Sequence, residues 1–265
     1  MCSHRGTVLV TERPERQAWI VCPYHSWGYG LDGTLKATPH IGGHGIHSHP
    51  DLDVSKHGLR PVRCETWHHL IFVNLLGEGP SLESVLAPLI ARWPINYGSL
   101  RLGGVGSFEF KANWKLVIEN FLESYHLPII HPGLNSYSKM EDHINIFVGP
   151  SAYGQATKTF TPNTSLPVIP DYPAHLSGHG EYPLFFPSLM LGTQATDFFA
   201  VTVEPVSPEL TRERYYVFFP EIAMDDAYAE ARAATLKRWY DINAEDIGVV
   251  ERMQQGRHSN ARVVG

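Results

Sequence analysis

Cys2-Ser3-His4-Arg5-Gly6 and, with seventeen residues between His4 and it, Cys22-Pro23-Tyr24-His25-Ser26-Trp27-Gly28-Tyr29 are the two stretches on which the fold turns. Each offers one thiol and one imidazole. Two sulfurs and two nitrogens presented as mixed pairs suit a [2Fe-2S] cluster with Cys on one iron and His on the other. Exchanging two anionic thiolates for neutral imidazoles raises the potential of such a cluster well above that of an all-Cys one. A chain with this centre accepts electrons and passes them on. Tetrahedral zinc takes the same four side chains. Its usual finger spacing, however, puts both Cys on one loop and both His on the other. The mixed loops favour the cluster, with a structural zinc site as the alternative.

The surrounding residues sharpen this. Cys2-Ser-His-Arg-Gly and Cys22-Pro-Tyr-His-Ser-Trp-Gly-Tyr, followed by Asp32-Gly33, resemble the ligand loops of a Rieske domain. Trp27 to Leu31 and Thr34 to Ala37 flank Asp32-Gly33, a strong hairpin signal. Trp67 to Leu75 (WHHLIFVNL) reads as another strand, and Glu78-Gly-Pro-Ser marks a break. A domain boundary is expected near Gly79, giving domains over 1–79 and 80–265. Five histidines between His40 and His57 lie among Gly, Ser and Pro without a companion carboxylate or Cys at a recognisable period, so an exposed loop is expected there. The Gly103 to Gly106 stretch does not open a helix and is no dinucleotide fingerprint.

The composition fits two modest domains of a soluble enzyme. The chain has 265 residues, and 21 Lys and Arg stand against 27 Asp and Glu, a net charge of −6. Mild acidity argues against nucleic acid or a membrane surface as partner. No apolar run reaches transmembrane length. Met1 runs straight into Cys2, and a cytoplasmic location is the expectation. Three Cys cannot build a disulfide framework once two hold iron. Cys64, in a strand, is expected as a small buried residue.

A second constellation runs from Asn113 to Pro132 (NWKLVIENFLESYHLPIIHP). Trp114, Val117, Ile118, Phe121, Leu122 and Tyr125 recur at helical spacing as one apolar stripe, with Glu119, Glu123 and His126 on another. Pro128 is expected to break the helix and let the chain bring His131 back towards His126. Two His so placed make two-thirds of a facial metal site, and the third ligand of that class is a carboxylate. The candidate lies in Asp241-Ile-Asn-Ala-Glu-Asp246 and beyond. Asp246 falls within the stripe of Ile242, Val249, Val250 and Met253, whereas Glu245 and Glu251 fall off it. A carboxylate turned towards a core is costly unless it binds a metal or a cation. A salt bridge or helix cap is the plain alternative for Asp246.

On these residues the chain resembles the catalytic α subunit of a Rieske non-haem iron oxygenase, the aromatic ring-hydroxylating family, over nearly its whole length. The resemblance implies an α+β fold: a small antiparallel β Rieske domain, then a helix-grip catalytic domain of antiparallel sheet and helices. It implies Cys2, His4, Cys22 and His25 as [2Fe-2S] ligands, and His126, His131 and Asp246 as ligands of a mononuclear Fe(II). Glu123 occupies the place of the acidic residue that bridges the two centres, where many members have Asp. The bridge implies a homotrimer in which Glu123 meets His25 of a neighbouring copy. Dioxygen is the implied co-substrate. NAD(P)H is used only indirectly, through a separate reductase or ferredoxin. The substrate is a small organic molecule that is hydroxylated, dihydroxylated or dealkylated. Glu as bridge is similar to the branch that oxidises quaternary ammonium compounds. Aromatic surface for either class is offered by Phe147, Tyr153, Phe160, Tyr182, Phe185, Phe186, Phe198 and Phe199. Relative to the family the sequence reads as shortened at both ends. A Rieske electron carrier and a catalytically incomplete fragment are the other functional expectations.

Overall fold

The computed structural model describes residues 1–12, 17–161 and 165–259. It divides into two compact units, Met1–Gly79 and Pro80–Gly265.

In the first unit β1 (Trp19–Val21), β2 (Gly28–Gly30) and β3 (Leu35–Ala37) form an antiparallel sheet in that order. The β2–β3 turn has a local cause. Gly33 takes φ +84°, open to glycine without steric cost, and Asp32 Oδ1 accepts from Thr34 N at 3.0 Å and Thr34 Oγ1 at 2.7 Å. Cys2, Cys22, Trp27, Tyr29 and Leu35 form the buried centre of this unit. WHHLIFVNL is not one strand. Its first residue ends β4 (Arg63–Trp67), His68 turns the chain at φ +50°, and Leu70 opens β5 (Leu70–Asn74). An apolar run cannot reveal a two-residue reversal when the turn residues carry none of the usual Gly, Asn or Asp signals. Cys64 lies in β4 as expected but is exposed, because the two-stranded sheet turns that face outwards. Between His40 and His57 the chain makes only an isolated bridge and one 3₁₀ turn, Val54–Lys56.

The second unit is built on a seven-stranded antiparallel sheet. Its strands are β6 (Leu100–Phe110), β7 (His143–Val148), β8 (Ala152–Thr157), β9 (Gly180–Phe185), β10 (Leu189–Thr193), β11 (Phe198–Ser207) and β12 (Leu210–Pro220), in the order β6-β12-β11-β10-β9-β8-β7. The helices are α1 (Leu82–Arg92), α2 (Trp114–Phe121), the single turns α3 (Leu127–Ile130) and α4 (Pro132–Asn135), and α5 (Ala229–Arg257). Ser81 and Asn113 cap α1 and α2 by accepting from Ser84 N and Lys115 N, which satisfies donors a helix start leaves open. Trp239 of α5 and Ile118 of α2 pack on Leu184, Met190, Phe199, Val201, Tyr215 and Val217 of the sheet. The glycines of β6 make room for neighbours. A Cβ at Gly104 would meet Leu236 of α5 at 2.6 Å, and one at Gly103 would meet the Phe219 ring at 2.3 Å. Small β unit followed by antiparallel sheet with covering helices is the α+β arrangement expected. No helix among the described residues is long and apolar enough to cross a membrane.

Candidate metal centres and their surroundings

The two Cys–His loops share one backbone device. Cys2 O accepts from Gly6 N at 2.9 Å and Cys22 O accepts from Ser26 N at 3.0 Å, and both donors sit at positive φ, +71° and +54°. Each Cys thus closes a tight loop that turns its own His inwards. Cys2 and Cys22 are buried, and the His4 and His25 ring centroids lie 4.8 Å apart. The Trp27 ring stacks on His4 at 4.6 Å. Burial pushes the Cys2 thiol up, but hydrogen bonds from Tyr29 and from the His4 backbone outweigh it and leave it below its ordinary value. Burial and the neighbouring His25 lower the His4 pKa. A thiol eased towards thiolate and an imidazole eased towards neutrality are the protonation states that bind metal. Nδ1 of His25 is buried without a hydrogen-bond partner, a polar atom left facing the place where the group would sit. The donor set fits a [2Fe-2S] cluster.

In the second unit the helix of the second constellation stops earlier than expected. α2 ends at Phe121, and His126 caps the separate turn α3, in which Pro128 stands in the first turn rather than breaking a helix. Proline is tolerated there because its missing N–H has no partner to lose. Glu119, Glu123 and His126 therefore do not share a helical stripe. Tyr125, placed by periodicity on the apolar stripe, is 84 % exposed.

The turn nevertheless brings the predicted residues together. Among the described residues, His126, His131 and Asp246 form one group of metal-capable side chains whose ligand atoms all lie within 4.8 Å of one another. Asp246 Oδ1 is 3.0 Å from Nε2 of His131 and 3.7 Å from Nε2 of His126, yet it is buried without a properly directed hydrogen bond. An unsatisfied carboxylate oxygen facing two imidazole nitrogens is an arrangement a cation resolves. The far side of each ring is held by a carboxylate: His126 Nδ1 by Glu123 Oε1 at 2.5 Å and His131 Nδ1 by Glu245 Oε2 at 2.7 Å. Such partners fix the tautomer and aim the Nε2 lone pair at the metal. The other carboxylate oxygen of Glu123, Oε2, accepts from Tyr125 N. The residues fit a two-His, one-carboxylate iron site.

Glu245 is the neighbour of the group that the sequence did not reveal. The stripe of α5 placed it away from the core, but its neighbour Asp246 lies only 100° further round the helix, and one imidazole spans both. Of the other carboxylates near Asp246, Asp241 pairs with Lys237, and Glu251 accepts from Lys111 N. Glu213 is 1 % exposed beneath the site, accepts from Asn243 Nδ2 at 2.8 Å, and is pushed up to about 7 by burial, with Asp246 repelling its charge.

A cavity of about 90 Å³ opens on the triad. Its aromatic wall is Phe121, Tyr182, Phe199, Tyr215 and Trp239. Only Tyr182 and Phe199 of the expected aromatic residues line it. Phe147, Tyr153 and Phe186 are exposed, Phe160 lies outside the strands and stacks on Trp239 in the core, and Phe185 and Phe198 lie elsewhere in the sheet, because strand alternation sends neighbouring rings to opposite faces. The Phe199 ring centroid is 4.9 Å from those of Tyr215 and Trp239 and 6.2 Å from that of Tyr182.

Comparison with known proteins places this geometry. Residues 1–55 match the Rieske [2Fe-2S] domain, and residues 97–264 match the ring hydroxylating alpha subunit catalytic domain. The chain is 36 % identical over 146 residues to the glycine betaine monooxygenase oxygenase subunit of Chromohalobacter salexigens, covering 54 % of this chain and 31 % of that protein. It is 27 % identical to the carnitine monooxygenase oxygenase subunit of Escherichia coli, over 98 % of this chain and 67 % of that one. The matches thus span from under a third to about two thirds of the relatives' lengths. Among solved structures, the quaternary ammonium Rieske monooxygenase CntA superposes with TM-score 0.74 at 22 % identity, over 99 % of this chain and 68 % of that one. Naphthalene 1,2-dioxygenase from Rhodococcus sp. gives 0.70 at 19 %, over 97 % and 68 %. With a Rieske match over the Cys–His loops and a catalytic-domain match over the His–His–Asp group, the chain belongs to the ring hydroxylating alpha subunit family.

Proposed function

We propose that the chain is the catalytic part of a Rieske non-haem iron oxygenase. In this proposal the unit 1–79 holds the [2Fe-2S] cluster through Cys2, His4, Cys22 and His25. The unit 80–265 holds iron through His126, His131 and Asp246. The observation that carries it is the convergence of His126, His131 and Asp246, with ligand atoms within 4.8 Å of one another and both imidazoles held from behind by carboxylates. When bound, the cluster supplies single electrons and the Fe(II) supplies open positions at which dioxygen is activated for attack on a C–H bond. Glu123 and Glu245 hold the Nδ1 protons, so each ring offers its Nε2 lone pair. The aromatic wall excludes water and orients the substrate. Glu123 lies behind His126 and is half exposed. From there it serves as the bridge to His25 of a neighbouring copy in a homotrimer. A separate reductase or ferredoxin delivers the electrons, drawn from NAD(P)H, in the cytoplasm.

The substrate that suits the cavity best is a small quaternary ammonium compound. Phe199, Tyr182, Tyr215 and Trp239 cluster along the cavity wall, and aromatic ring faces attract a cation. The glycine betaine and carnitine monooxygenase relatives support this class. The test is reconstitution with iron, sulfide and a reductase, followed by turnover of trimethylammonium compounds and of flat aromatic rings. Oxidation of the cation with loss of an N-alkyl group is expected. Oxidation of rings alone would move the substrate to the aromatic class. Stoichiometric zinc with no labile sulfide would sink the Rieske assignment.

A further inference from the structure

The segment 122–126 carries both Glu123 and His126, and little of it is buried. Tyr125 is 84 % exposed, and the Glu123 side chain is 46 % exposed. α2 ends just before it, and the last carbonyls of a helix have no partner within the helix. One side chain from the sheet supplies it. Gln155 of β8 is 7 % exposed, and its Nε2 donates to Phe121 O and to Glu123 O, both at 3.0 Å. With both amide hydrogens used, Oε1 can only accept. His143 Nδ1, at 2.6 Å, is then the donor, and His143 Nε2 accepts from the Ser138 hydroxyl at 3.0 Å. Every group in this chain has one assigned direction, from Ser138 through His143 and Gln155 to the two carbonyls. All three side chains also line the cavity.

We propose that Gln155, oriented by His143, is a positioning residue that sets the Glu123–His126 turn against the metal site. This rests on His126 being an iron ligand, as proposed above. Gln155 holds the backbone of the turn, while the Glu123 carboxylate holds Tyr125 N and the His126 ring. Without the amide, the hydrogen bonds left to the turn among the described residues are its own local ones, and the His126 ring loses its fixed approach to the metal.

The test uses the full chain with its cluster, stripped of mononuclear iron and titrated with Fe(II). Gln155→Leu deletes the donor, and Gln155→Glu keeps the shape but sets an acceptor against two carbonyls. Both should weaken Fe(II) binding by roughly tenfold or more, with an unchanged Rieske spectrum. His143→Leu should give a smaller loss. His143→Asn, whose amide can donate where Nδ1 did, should restore near-parental binding, a rescue that a merely structural role would not show. Parental Fe(II) affinity in both Gln155 variants would overturn this inference alone. Failure of the parent chain to bind Fe(II), or parental binding in His126→Ala, would overturn the metal assignment and this inference with it. Should Gln155→Leu not fold, the isosteric Gln155→Glu and the His143 pair still decide the matter.

Discussion

His131 is 2 % exposed, and each of its ring nitrogens faces a carboxylate. Burial alone would lower its pKa, but Asp246 and Glu245 outweigh burial and raise it. Three predictions belong at this scale. His126→Ala, His131→Ala and Asp246→Ala should each abolish mononuclear iron and turnover while keeping the Rieske EPR signal, since each deletes one of three protein ligands. Retention of iron in Asp246→Ala would shift the ligand role to Glu245. Glu245→Gln should bind Fe(II) about 10- to 100-fold more weakly, as metal titration would read. The third concerns pH. Glu213 has a folded pKa of about 7 against 4.5 when free, so the folded state holds an extra proton between those values. The stability of the iron-free chain should therefore fall as pH rises from about 4.5 to 7, by at most roughly 3 kcal/mol, and then level off. His131, with its raised pKa, adds loss of the same sign as pH rises from its free value through its folded one. Glu213→Gln should flatten the lower part of this slope in urea titrations at pH 5, 6 and 8; an unchanged slope would mean the carboxyl is not desolvated.

At the scale of elements, the close packing around β6 depends on its small residues. A Cβ at Gly103 would come within 2.3 Å of the ring of Phe219, itself fully buried. Gly103→Ala should destabilise the second unit by about 1–3 kcal/mol through overpacking. Gly256, near the end of α5, has nothing within 4 Å of an added Cβ, so Gly256→Ala should be neutral or stabilising by up to about 1 kcal/mol. Thermal melts of the two variants would separate packing from propensity. Similar losses in both would refute the packing account of the GGVG stretch.

At the scale of the molecule, the proposed cluster and iron residues belong to separate compact units. If electrons pass between copies through Glu123, complementation follows. A Cys22→Ser chain lacks the cluster but keeps the iron ligands, and a His126→Ala chain lacks iron but keeps the cluster. Each alone should be inactive, and co-assembled mixtures should regain part of the turnover. No recovery in verified mixed oligomers would confine transfer to a single chain. Glu123→Gln should keep both metals but reoxidise its cluster far more slowly in a single turnover with substrate and dioxygen.

Ligand chemistry was legible in the sequence because it is local: Cys-x-His, Cys-x-x-His and His-x₄-His place scarce side chains a few residues apart, where one loop can aim them. The hairpin at Asp32-Gly33 was legible for the same reason, since turn chemistry acts over short range. Periodicity also put Asp246 on the inward face of α5, but a stripe names a face and not its partner. Only the tertiary structure decided that His131 sits between Asp246 and Glu245, that Cys64 faces outwards, and that the chain reverses at His68. It alone brought Gln155 to the end of α2, across more than thirty residues of sequence. Those contacts are set by how the sheet and its helices close on one another, a long-range packing outcome that no window of neighbouring residues contains.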